Sequence, residues 1–136
     1  MAGSLSDYME NEVLNMLVGR SAITQKTVYL ALFTAPPTDA GGGTEVTGGS
    51  YARKQLNTPP ITNPYFGTAA SGGQITNTAV ISMPTPTAAW GTIVAVGLYD
   101  AASAGNLLAW ATIPAQQINA NDTVDFPVGS IVFSMD

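Results

Sequence analysis

Carboxylates, amides and aromatic rings are the side chains with which this sequence could do chemistry, because it contains neither His nor Cys. Nine residues are acidic. A hydrolytic pair needs two carboxyls roughly 5 to 10 Å apart across a cleft, and the placement of these residues argues against one. Asp7, Glu10 and Glu12 fall at the start of a helical stretch, Asp39, Glu45, Asp100 and Asp122 fall in turn-forming segments, and Asp136 is terminal. Asp in a turn has its own structural reason, since its side chain accepts hydrogen bonds from nearby backbone N–H groups. Gly43-Thr44-Glu45-Val46-Thr47-Gly48-Gly49-Ser50 has the outline of a phosphate-cradling loop. Gly49 stands where that motif requires Lys, however, and no strand leads directly into the segment with a helix behind it. Asn119, Asn121, Asp122 and Asp125 offer oxygen ligands of the kind calcium takes, without the acidic order and closing Glu of a helix-loop-helix site, so they read as a polar turn. Asn121-Asp122-Thr123 matches the N-glycosylation sequon, a three-residue pattern that arises by chance and has no secretory signal beside it here. No catalytic, cofactor or metal site is assigned.

The missing residue types sharpen these exclusions. Without Cys there is no disulfide, thiolate metal site or Cys nucleophile, and without His the commonest general base and zinc ligand is gone. Ser-His-Asp and Cys-His catalysis are thereby excluded within the chain. Arg20, Lys26, Arg53 and Lys54 are the four basic residues, and the net charge is −5. Neutralising several phosphates takes several cations on one face, so no nucleic-acid partner and no anionic membrane is expected, nor a small-molecule substrate. The N-terminus has no basic residue before Arg20, and the weakly polar run from Ala88 to Tyr99 is too short to span a bilayer. A soluble product of a cytoplasm is the expectation.

Only 10% of the 136 residues are charged and 46% are hydrophobic, against about 25% charged in an average soluble domain. Mean hydropathy is +0.20. A water-exposed monomer with so few charges would be poorly soluble, which implies that much of its surface is covered by copies of itself, as a dimer or trimer, or by another protein. The length suits a single domain over 1–136.

Leu5, Met9, Val13, Met16 and Leu17 recur at helical spacing and predict a helix over 4–18, with Ser4 or Ser6 as N-cap and Gly19 at the stop. From residue 27 to 136 the pattern turns to short runs rich in Val, Ile, Thr and aromatics. Strands are predicted at Val28 to Thr34, Tyr51 to Leu56, Gln74 to Met83, Trp90 to Tyr99, Leu107 to Ile113, Thr123 to Phe126 and Ser130 to Met135. A Gly-rich loop occupies 36–50 and a Pro-rich loop 57–67. Trp90 to Tyr99 and Leu107 to Ile113 form the clearest hairpin, and the last two strands form a second. The fold class is mainly β: an antiparallel β-sandwich or small barrel of about seven strands behind one N-terminal α-helix. No internal repeat is visible.

Trp90, Trp110, Tyr99 and Phe133 sit on predicted strands, where aromatics pack in the core or across strands. Tyr65 and Phe66 follow the prolines of the Pro-rich loop and are candidate contact anchors. Leu5, Tyr8 and Met9 on the helix, Val46 in the Gly-rich loop and Ile61 beside Tyr65 complete the expected contact set.

The segments MAGSLSDYMENEVL, TVYLALFTAPPTDAGGGTEVTGGSYAR, AASGGQITNTAVISMPTPTAAWGTIVAVGLYDAASAGNLLAWATI and VDFPVGSIVFSMD cover most of the chain. In them the sequence resembles a family of small tailed-bacteriophage virion proteins, many of which carry the label tail fibre protein. Gln55 to Phe66 departs from that pattern as an insertion. The resemblance implies a structural role in a virion without enzymatic activity. Joined to the charge deficit, it leads to a capsid cement or decoration protein at the capsid surface, bridging subunits of the major capsid protein. The alternative is a tail-associated fibre or receptor-binding protein.

Overall fold

The computed structural model describes residues 2–58 and 62–135. In chain order its elements are β1 (Ala2–Leu5), α1 (Asp7–Leu17), β2 (Tyr29–Ala35), β3 (Thr44–Glu45), β4 (Lys54–Gln55), β5 (Gln74–Thr76), β6 (Ile81–Ser82), β7 (Gly91–Tyr99), β8 (Leu107–Ile118), β9 (Asp125–Phe126) and β10 (Val132–Ser134). The larger sheet runs β3-β2-β7-β8-β1-β10-β5, with β4 also pairing with β2, and β6 and β9 form a separate pair. Neighbours are antiparallel except β1 and β10, which are parallel. The protein is thus mainly β, with ten strands among the described residues, an open path in place of a closed barrel, and a sandwich-like arrangement.

The β7–β8 hairpin is the spine, and the turn chemistry of Asp100 to Asn106 explains it. Asp100 Oδ1 accepts from the Asn106 backbone N–H at 2.7 Å, closing the loop between Tyr99 and its cross-strand partner Leu107. β8 continues past Ile113 to Ile118, beyond its predicted end. Its register slips opposite Ile93 and Ala95, which leaves Pro114 in a bulge where the missing N–H breaks no ladder bond.

The near-continuous apolarity of β2 reflects burial on both faces, as expected of a strand beside β7. Leu30 and Leu32 point into the main core with Val96, Leu56, Trp90, Ile81, Met83 and Ile131, while Ala31 and Phe33 face the other way with Ala95 and Tyr99. Gly97 is required where Phe33 crosses β7, since a Cβ there would sit 2.9 Å from Phe33 Cε2 and 3.1 Å from Leu107 Cδ1.

Several predicted boundaries move. The helix begins at Asp7, because Ser4 and Leu5 pair with Trp110 and Ala109 as part of β1, and Ser6 is the N-cap, its Oγ accepting from the Met9 N–H at 3.3 Å. A strand therefore precedes the helix. Gln74 to Met83 is two strands, broken by the buried Asn77, whose Oδ1 accepts from Ile131 N–H and whose Nδ2 donates to the Ala79 and Pro127 carbonyls. The second predicted hairpin does not form: β9 pairs with β6, and β10 lies between β1 and β5. Of Tyr51 to Leu56 only Lys54–Gln55 is strand, while Thr44–Glu45 in the Gly-rich loop is one.

Candidate functional site

The chemistry-bearing side chains converge where the Gly-rich loop, the segment after it and the β7–β8 turn meet. β3 returns antiparallel to β2 and carries Glu45. The close approach at Gly43 (φ +79°) permits that return, because a Cβ there would lie 2.7 Å from Pro37 N. The Arg53 guanidinium meets Glu45 in a two-pronged pair, Nε to Oε1 at 2.8 Å and Nη2 to Oε2 at 2.7 Å. It lies 3.7 Å over the Tyr99 ring, and Nη1 donates to the Ala101 and Ala104 carbonyls. Ala104 sits in the left-handed region at φ 51°, and the guanidinium contact helps hold that turn shape. Tyr51 Oη donates to Glu45 Oε1 at 2.9 Å and accepts from Leu32 N–H at 3.0 Å, while its ring meets Trp90 edge-on.

This cluster is built to hold charge still. Burial pulls the Arg53 pKa down, but the hydrogen bonds and charge of Glu45 outweigh it and raise it above its ordinary value. Burial drives the Tyr51 phenol well above its ordinary range, and burial likewise raises Tyr99. Neither the guanidinium nor the two phenols are poised to exchange a proton near neutrality. The arrangement locks three chain segments together.

The remaining carboxylates with partners act in the same way. Asp39 accepts from Trp110 Nε1 at 2.8 Å and Ser4 Oγ at 3.3 Å, and its carbonyl accepts from Asp7 N–H, so the loop after β2 clasps the N-terminal segment. Asp100 is held below its usual value: burial pushes it up, but hydrogen bonds from Asn106 and the charge of Lys26 at 3.9 Å prevail. Asp122 caps the Asn119 N–H at 2.7 Å, the structural use expected of a polar turn. Among the described residues no three acidic side chains gather as a cation site would require.

The expected contact residues scatter. Val46 is buried in the core beside Leu32, so its side chain offers no surface to a partner, correcting that expectation. A strand-like T-E-V-T alternation was the signal for it. Tyr65 and Phe66 are half-buried and pack back against the main core, with Lys54 Nζ 5.7 Å from the Tyr65 ring. Ile61 lies outside the described residues. Trp90 is buried, while Trp110 is half-buried on the sheet, held by Asp39. Tyr8 is half-buried and its Oη accepts from Lys26 Nζ at 3.1 Å, and Met9 is half-buried beside it on α1.

Leu5, one of the expected contact residues, lies on an apolar surface whose other members, Val13, Leu14 and Met135, were not among them. It lines a groove of about 470 Å³ with Val13 and Leu14 of α1 and Met135 beyond β10. A second apolar hollow lined by Leu5, Ile75, Phe133 and Met135 continues it. Leu14, Leu17 and Val18 stand exposed beside it. Apolar residues at helical spacing announced a helix, but spacing alone does not say that α1 has no buried residue.

Among known families, residues 4–134 match the model described as podophage GP4 fiber I protein gp80. No curated protein matches the sequence.

Proposed function

Because this chain belongs to the podophage GP4 fiber I protein family, a family of phage virion structural proteins, we propose that it is a non-enzymatic subunit of the tail-fibre apparatus that works through protein contacts. The observation that carries this reading is the set of exposed apolar side chains on α1 beside the groove formed by α1, β1 and the end of β10. A chain without repeats does not make a long shaft by itself, so its place in a fibre is a compact joint or attachment domain.

The test is to separate heads from tails of the phage that encodes it and quantify the chain in each by mass spectrometry, followed by a cryo-electron microscopy map of the intact particle. Copies confined to tails support the proposal; copies confined to heads overturn it. The second outcome is the capsid cement reading, in which the same apolar surface sits on the major capsid protein and bridges neighbouring subunits at the capsid surface. The compact, repeat-free body and the low charge favour that reading, and many copies on a symmetric shell make modest contacts collectively strong.

A further inference from the structure

α1 is 11 residues long and buries none of its side chains completely, at a length where an isolated helix is marginal in water. Leu14, Leu17 and Val18 are 57%, 74% and 69% exposed. This ridge stands beside the groove lined by Leu5, Val13 and Met135. Ridge and groove on one surface are what a two-fold interface needs, because each copy then supplies both halves.

Charge gives the pairing a direction. Glu10 lines the groove, whereas Arg20 follows the helix stop, where its N–H bonds the Asn15 carbonyl. At about 1.5 Å per residue, Val18 at the helix end is about 12 Å along the axis from Glu10, and Arg20 follows two residues later. A second helix running antiparallel, centred between Leu14 and Leu17, brings Arg20 of each copy to Glu10 of the other and closes the apolar centre between two ion pairs. Parallel helices would set Glu10 against Glu10.

We propose that α1 and its groove form a two-fold interface with a second copy of this chain, the two helices antiparallel. The proposal goes beyond the reading of location above and holds for a head or a tail protein. It is tested on the full purified chain by sedimentation equilibrium. The wild type is expected at two chain masses in the micromolar range. Leu14→Glu with Leu17→Glu should weaken dimerisation more than 100-fold while leaving the far-ultraviolet circular dichroism unchanged, because both positions are exposed. Arg20→Glu should weaken it about tenfold, and Glu10→Arg added to Arg20→Glu should recover most of that loss. A wild-type monomer at millimolar concentration, a trimer, a dimer indifferent to the Leu changes, or a charge swap that recovers nothing would each overturn the proposal; the monomer would assign the surface to another virion protein.

Discussion

Removing the Arg53 guanidinium would leave the half-buried Glu45 carboxylate without its cation and the Ala101 and Ala104 carbonyls without their donor. Arg53→Ala is expected to cost about 2–4 kcal/mol in urea unfolding, and Arg53→Lys to recover only part of it, since an ammonium cannot make the two-pronged contact. Titration gives a second check. Asp100 has a folded pKa below its unfolded value near 3.8, so its contribution is present above that value and is lost as pH falls through the folded one. Tyr51 is displaced upward from 10.0, so its contribution is complete below pH 10 and is lost as pH rises beyond it. Thermal unfolding midpoints should therefore fall below about pH 4, less steeply in Asp100→Asn, and again above about pH 10, less steeply in Tyr51→Phe. At this scale the sequence was legible in residue type and silent on partners. Glu45 was read as a turn carboxylate and Arg53 as a strand residue, and nothing local joins them to each other or to Tyr99 and Ala101, which lie far along the chain.

Elements with their own periodicity and turn chemistry were legible, and those made by remote pairing were not. The β7–β8 hairpin was readable from its strands and from Asp100 to Asn106, and α1 from its apolar spacing and from Gly19, whose φ of +74° allows the helix stop. β1 was not, since Ser4 and Leu5 look like the first turn of the helix until Trp110 and Ala109 claim their backbone. Pro114 ended β8 too early because a bulge, invisible locally, accommodates it. Two substitutions probe these elements. Gly97→Val should destabilise by about 2–3 kcal/mol in chemical denaturation, by driving a side chain into Phe33 and Leu107. Ser6→Ala should cost about 2 kcal/mol, because the hydroxyl both caps α1 and bonds the Leu107 carbonyl from a site only 1% exposed.

For the whole molecule, the exposed Leu14, Leu17 and Val18 of α1 and the groove beside them are the surface that the proposed dimer would cover. The topology also gives the N-terminal segment a structural role. β1 lies between β8 and β10, so the first strand joins the central hairpin to the last strand, and Asp39 and the Leu107 and Leu108 carbonyls fasten the residues that follow it. Deleting residues 1–5 would remove that bridge, detach β10 and β5 from the sheet and uncover Ile131 and Phe133, which pack in or against the main core. A purely peripheral arm could be lost without such a cost. The truncated chain is therefore expected to lose its single cooperative unfolding transition in calorimetry, whereas the Leu14→Glu, Leu17→Glu chain keeps it. An unchanged transition in the truncated chain would show that β1 is held by the sheet without supporting it.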